Sequence, residues 1–372
     1  MATFPSKVNF VTGDVLTATN MNDIGGAINL LDGAQYAAGK NKIINGDLAI
    51  NQRSYTTAAA NGAYTFDRWQ ASAGSSTTGT FTVTAQTFTP GAAPVAGYES
   101  ANYVDLITAG QSAADTLSLY RQKIEDVRTF AGETVVMSFW AKAATGTPKI
   151  AISVTQNFGS GGSPSASAEA PAGSVTISTS WARYSITYAV PSISGKTIGT
   201  TANTSFLQLQ FFVSAGSTYS VNSSNIGIQA NTFSMWGIQA EEADTASPFQ
   251  TATGTIQGEL AACQRYYFRS TPSSSYGWLG SGIAQSATAT SMAVTLPSTM
   301  RIVPTSVDFS TLSLVDSVTA TAVTTCTIDS NVTSNNFGVV TASVASGLTQ
   351  YRPYYLRQNA TSAAYIGFSA EL

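Results

Sequence analysis

Apolar and polar positions alternate with a period of two through the middle of the chain. In ETVVMSFWAKA (133–143), Val135, Met137 and Phe139 alternate with Val136, Ser138 and Trp140. KIAISV places Ile150, Ile152 and Val154 on one face, and RYSITYAV does the same with Tyr184, Ile186, Tyr188 and Val190. FLQLQFFV sets Leu207, Leu209, Phe211 and Val213 opposite Gln208 and Gln210. Successive strand side chains point to opposite faces, so such runs, separated by Gly, Ser, Pro and Thr turns, predict half-buried strands. Together they predict a two-sheet sandwich, one face of each sheet turned inward. The stretch NFGSGGSPSASAEAPAGS (157–174) predicts a long flexible loop at its rim.

PFQTATGTIQGEL (248–260) has the composition of a connector, and GELAACQRYYF (258–268) predicts a short helix or turn opening a new segment. Short strand patterns then resume in SMAVTL, TSVDF, NFGVVTASV, YRPYYLR and YIGFSAEL. The expected organisation is an all-β chain with a sandwich over 41–255 and a smaller β-domain over 256–372. Residues 1–40 form a separate attachment or trimerisation segment. No repeat of 20–50 residues recurs, so neither a β-helix nor a propeller is expected.

That first segment has helical periodicity. Thr17 or Thr19 can cap a helix through NMNDIGGAINLLDGAQYAA, where Met21, Ile24, Ile28 and Leu31 occupy a, d, a, d of two heptads. Gly25 and Gly26 each cost such a helix about 1 kcal/mol relative to Ala. Alone it is marginal in water. It becomes reasonable when packed against copies of itself or docked on a larger body; a short amphipathic helix lying on its own β-domain is the alternative.

Composition narrows the chemistry. Only 10% of the 372 residues are charged and the net charge is −3, which leaves no electrostatic footprint for nucleic acid. A surface rich in hydroxyls and amides suits large assemblies and sugars better than phosphate. There is no histidine, so Ser-His-Asp and Cys-His catalysis are excluded within the chain, and the commonest zinc ligand is missing. Cys263 and Cys326 fit no metal spacing and are expected to be unpaired thiols or small buried hydrophobes. No apolar run is long enough for a signal peptide or a membrane helix, so a soluble product made in the cytoplasm, without membrane insertion, is expected.

Seven segments then fall in a telling order: NKIINGDLAINQRS (41–54), YTFDRW (64–69), LYRQKIEDV (119–127), GETVVMSFWAKA (132–143), SWARYSITYAVP (180–191), WGIQAEEADTASPFQ (236–250) and ELAACQRYYF (259–268). The series resembles the carbohydrate-binding-module-like sandwich of many phage tail-fibre and other virion-appendage proteins. It covers about three-fifths of the chain. GDVLTATNMND is similar to the start of phage fibres and baseplate-type appendages, where such a segment serves attachment and trimerisation. The resemblance implies a jelly-roll-like sandwich, homotrimeric, carried on a virion and used in contact with a host-surface glycan, with other virion proteins meeting its N-terminus. Asn51 departs from the aromatic common after the preceding position in such proteins, and IQAEE replaces a more hydrophobic QLE, which leaves the family's ligand site open.

YTFDRW concentrates rings and charge, but catalysis by Asp67 and Arg68 would need a second carboxylate or a nucleophile that the sequence does not name. The structural expectation is that Tyr64, Phe66 and Trp69 close the sandwich edge, with Arg68 or Arg53 tied to Asp67, Asp47 or a carbonyl. No catalytic residue and no cofactor are expected. For Glu241 and Glu242, joining Asp47 around a structural calcium competes with Glu241 capping or pairing with an arginine. CQRYYF is expected to be the packed joint between domains, with Arg265 in a salt bridge. Sugar binding needs rings beside fixed polar groups, and the candidates are Tyr276 and Trp278 in SSSYGWLG with Tyr351, Tyr354 and Tyr355 in YRPYYLR. Packing of these tyrosines between subunits or in the small core is the competing expectation. The functional alternatives are a polysaccharide depolymerase of the tailspike kind, acting as a glycoside hydrolase, and a head or neck decoration without a receptor role.

Overall fold

The computed structural model describes residues 39–58, 61–74, 78–91 and 100–372. The heptad positions Met21, Ile24, Ile28 and Leu31 lie outside them. Eleven strands build the first body: β1 (Thr57–Ala58), β2 (Gln70–Ala73), β3 (Thr80–Thr87), β4 (Asn102–Ala109), β5 (Leu117–Ile124), β6 (Thr134–Ala143), β7 (Lys149–Asn157), β8 (Ala168–Thr176), β9 (Ala182–Ala189), β10 (Phe206–Ala215) and β11 (Asn231–Glu242). They form a six-stranded sheet, β1-β3-β4-β11-β6-β9, and a five-stranded sheet, β2-β5-β10-β7-β8, each antiparallel between neighbours. This is the two-sheet sandwich expected from the alternating pattern, of the jelly-roll-like kind that the resemblance implied.

The alternating residues meet in one core. Val135, Met137 and Phe139 of β6 share a buried cluster with Ile150, Ile152 and Val154 of β7 and with Leu207, Leu209, Phe211 and Val213 of β10. Each large apolar side chain so enclosed contributes about 1.5–3 kcal/mol. The glutamines on the opposite face of β10 are buried too, and their amides need partners. The Gln210 amide nitrogen donates to the hydroxyls of Ser153 and Thr155 at 3.0 and 2.9 Å and to Glu169 at 2.9 Å.

The rim loop is shorter than its composition predicted. Its second half, from Ala168, is the edge strand β8, with Pro171 inside it. Proline cannot donate a ladder hydrogen bond, and an edge position tolerates that loss. The period-two signal failed there because none of β8 is fully buried and only Ala172 and Val175 pack on the core, at positions three apart rather than alternating.

The helix α1 (Ile256–Gln264) follows, with the Thr255 side chain capping its first turn by accepting from Gly258 N. Beyond it lie β12 (Tyr267–Ser270), β13 (Trp278–Ala284), β14 (Ala289–Thr295), β15 (Ser306–Ser310), β16 (Leu312–Val315), β17 (Ala320–Ile328), β18 (Phe337–Val344), β19 (Pro353–Gln358) and β20 (Tyr365–Ser369). Six of them close a barrel in the order β13-β14-β18-β17-β16-β19, and β12-β20-β15 form a small sheet. Closure leaves the six barrel strands without a free edge. Leu279, Met292, Val294, Leu312, Leu314, Val340 and Leu356 fill the interior.

Strand β13 escaped the sequence pattern because Gly280 and Gly282 interrupt it. A Cβ on Gly282 would stand 1.8 Å from the Ser291 carbonyl oxygen, so this close approach to β14 requires glycine. Cys263 and Cys326 are both free and buried, as expected.

Candidate functional site

The YTFDRW stretch is a corner of the fold. Phe66 and Trp69 are fully buried, and the Trp69 ring stacks on Tyr120 at 4.9 Å and 9° while its Nε1 donates to Asn45 O at 2.9 Å. Arg68, also buried, pairs with Glu371, donates to Lys123 O at 2.6 Å and lies 3.4 Å from the Tyr266 ring centroid. Arg53 reaches Asp67 at 3.7 Å and Glu371 at 3.3 Å. The expected arginine ties are present, with Glu371, near the far end of the chain, as a partner the local sequence could not name.

CQRYYF does form a joint between the two bodies. Arg265 pairs with Glu125 at 3.0 Å, and Tyr266 Oη donates to the same carboxylate at 3.2 Å. Gln52 spans the seam, donating to Asp67 at 2.5 Å and to Tyr267 O at 2.7 Å. Glu259 of α1 accepts from Asn45 N and Thr253 N, both at 2.7 Å.

Asp67 in this seam makes a pH prediction. Burial pushes its carboxyl up to about 6, more than Arg53 and the Gln52 hydrogen bonds pull it down. Between the ordinary value of 3.8 and about 6, the folded chain therefore binds a proton more tightly than the unfolded chain. Stability from this group is full below that window and is lost as pH rises through about 6. The change is about 2–3 kcal/mol across the window. Thermal melting should give a higher Tm at pH 5 than at pH 7. A Tm equal at both values, or a difference that persists in Asp67→Asn, would contradict the assignment.

Glu241 is committed to protein donors. It accepts from Ser247 N and the Gln239 amide, both at 2.7 Å, and pairs with Lys40 at 3.2 Å. Burial raises its pKa, but the Ser247 and Gln239 hydrogen bonds outweigh that and hold the carboxyl below its usual range. Its charge partner is a lysine, where an arginine was the expectation. Glu242 is exposed. Among the described residues no group of three or more His, Cys, Asp or Glu side chains is placed to hold a metal ion.

The C-terminal aromatics separate by strand parity. Tyr354 is only 3% exposed, packs in the barrel core and accepts a hydrogen bond from Thr349 N at 3.0 Å, so it is not a surface ligand residue. The reason is the period of β19: Tyr354, Leu356 and Gln358 point inward, and Pro353, Tyr355 and Arg357 outward. Tyr351, 78% exposed, stands in the turn before the strand.

The outward residues form rows across the barrel flank. Trp278 of β13, Arg357 of β19 and Ser313 of β16 are cross-strand partners, as are Ser281, Tyr355 and Val315 in the next row. Trp278 and Tyr355 are diagonal neighbours, and their rings stack at 4.1 Å with 16° between planes. Trp278 nevertheless remains 65% exposed and Tyr355 41%. With one face of Trp278 covered by Tyr355, its other face is open to solvent. Tyr276, 54% exposed, has the Arg357 guanidinium 4.8 Å from its ring centroid. Ile283, exposed and paired with Pro353, extends the patch.

Sequence reasoning passed over a second aromatic group. On the outward face of the six-stranded sheet, Trp140 and Trp236 stack at 5.9 Å, and Phe88 touches Tyr103, Trp181 and Trp236 at 4.7, 5.6 and 5.8 Å. The available signal was Trp140, a large ring on the polar parity of β6. These rings cover one another: Trp236 is fully buried and the others are mostly so. They seal the outside of the sheet, whereas the barrel flank keeps an open ring face.

No family model matches the chain, and no curated protein matches it. Among solved structures, it is similar to the enzymatically active domain of tailspike protein 4 from bacteriophage CBA120, with 16% identity and a TM-score of 0.30 over 55% of this chain and 22% of that one. The chain thus spans well under two-thirds of that tailspike structure. It is also similar to the CBM22-2 xylan-binding domain of Paenibacillus barcinonensis Xyn10C, with 18% identity and a TM-score of 0.30 over 50% of this chain and 98% of that one. The family 11 carbohydrate-binding module of Clostridium thermocellum gives 12% identity and a TM-score of 0.30 over 51% and 98%. Scores of that size carry no argument about function, which rests on the chain's own side chains.

Proposed function

We propose that this protein is a non-catalytic, glycan-binding appendage of a bacteriophage particle, homotrimeric through residues 1–40 and touching the host surface with the flank of its C-terminal barrel. The observation that carries the binding reading is the Trp278–Tyr355 stack, held on adjacent strands with an open tryptophan face. A soluble protein gains nothing in folding from leaving such a ring in water, and an exposed cluster of this kind marks a contact surface. Flat apolar ring faces beside hydroxyl and guanidinium donors suit sugar rings, whose faces are apolar and whose edges hydrogen-bond. The ordered motif series and the uncharged, hydroxyl-rich composition support the virion setting. The N-terminal segment supplies the expected trimer seam and the contact with other virion proteins.

The test is retention in gels containing host-surface polysaccharide, run beside inhibition of phage adsorption by purified protein. Trp278→Ala should weaken retention by at least about tenfold while leaving the melting temperature nearly unchanged, because the ring is largely outside the core. Retention unaffected by Trp278→Ala would remove the barrel flank from the reading. Release of new reducing ends from the polysaccharide would overturn the non-catalytic part.

A further inference from the structure

We infer that the glycan bound on this flank is anionic and that Arg357 is the partner of its carboxylate or phosphate group, an inference that rests on the glycan-binding reading above. Arg357 stands in the same cross-strand row as Trp278, on the outward face of β19. Every other arginine has a hydrogen-bond or ion-pair partner: Arg53, Arg68, Arg128, Arg265 and Arg352 pair with carboxylates. Arg121, Arg183, Arg269 and Arg301 donate to side-chain or backbone oxygens. Among the described residues Arg357 has no such partner, only the Tyr276 ring against its guanidinium.

Its two terminal nitrogens have no acceptor among the described residues; its Nε is buried without one too, a state it shares with Arg68, Arg183 and Arg269. At the other end of the flank Arg352 is already neutralised by Asp316 at 3.2 Å. The uncompensated charge therefore lies on the strand next to Trp278, at its cross-strand partner position. A planar guanidinium lying over the Tyr276 ring presents its terminal nitrogens to an oxyanion, a geometry that fits carboxylate and phosphate alike. A sugar seated on Trp278 with an acidic substituent would place that group toward Arg357, its cross-strand partner.

The experiment uses the full chain in affinity gels containing neutral polysaccharides, uronate-bearing polysaccharides with their carboxyl-reduced forms, and phosphate-bearing polysaccharides with their dephosphorylated forms. The expected result is tighter binding to the anionic form of a pair by about tenfold, shrinking as salt is raised. The advantage should disappear in Arg357→Gln and survive in part in Arg357→Lys, which keeps the charge but not the fork. Preference within the uronate pairs identifies carboxylate as the source, and preference within the phosphate pairs identifies phosphate. Equal binding to both members of every pair would overturn the inference while leaving glycan binding intact. A preference that survives Arg357→Gln would overturn it too. A change of association state in Arg357→Gln would also overturn it, by showing that a second copy of the chain covers this residue. Absence of retention on every gel would bring down the glycan-binding reading as well.

Discussion

Glu371→Ala should destabilise the protein by about 3–5 kcal/mol, although the substituted residue is the second-last of the chain. Its carboxylate is the shared acceptor of Arg53 and Arg68, and the Arg68 side chain is only 1% exposed. Removing the carboxylate leaves a guanidinium buried against Tyr266 with Lys123 O as its remaining acceptor. That uncompensated charge costs more than the pair contributes while intact. The cost falls on the seam between the sandwich and the C-terminal body, since Arg53 and Arg68 belong to the sandwich corner and Glu371 follows β20 of the small sheet. Urea unfolding followed by tryptophan fluorescence measures the loss. Limited proteolysis should show earlier cleavage between the two bodies. Replacing both partners, as in Arg68→Met with Glu371→Leu, should recover part of the stability, because no buried charge then lacks its partner. A midpoint for Glu371→Ala unchanged within error would mean that the seam is held elsewhere.

Trp69→Ala has the other large expected effect, about 3–5 kcal/mol. Trp69 lies wholly inside the sandwich, between the Tyr120 ring, stacked at 4.9 Å, and Phe211 at 6.1 Å. Truncation opens a cavity among side chains that cannot all collapse into it, and it strips Asn45 O of its indole donor. Trp69→Phe keeps much of the ring contact and loses the hydrogen bond, so it should cost less, about 1–3 kcal/mol. The contrast with Trp278→Ala is the useful part: one tryptophan should govern folding with no direct contact to ligand, the other ligand retention with little effect on folding. Equal and small losses of stability for both would show that YTFDRW is not the structural corner described here.

Much of the sandwich was legible because its strands turn apolar side chains into one core and polar ones away from it. Where one face of a strand enters the apolar core and the other meets polar groups, the sequence must alternate, as at Leu207–Phe211, where Gln208 and Gln210 lie buried opposite the core. Strands outside that condition were missed. Edge strand β8 has no fully buried residue, β13 gives up side chains to let β14 approach, and β17 is mostly exposed threonine and alanine. Each lacks the cost that writes a pattern. The candidate site was half legible. Aromatic residues in YGW and YRPYY announced an unusual surface, but whether Tyr354 or Tyr355 faces solvent depends on the parity of β19, which a run of adjacent tyrosines does not reveal.

By itself the sequence determined the all-β class, the alternating core of the sandwich, the absence of histidine chemistry and the structural character of the YTFDRW corner. Those follow from local rules of period, residue type and charge cost. Only the tertiary structure decided which ring stands beside which. The register of β13 and β19 set Trp278 beside Arg357 and diagonal to Tyr355 on one flank, and the folding of Glu371 onto Arg68 closed the seam across some three hundred residues of chain. Contacts so distant in sequence leave no local signature, because each partner needs only to be polar and well placed when the other arrives.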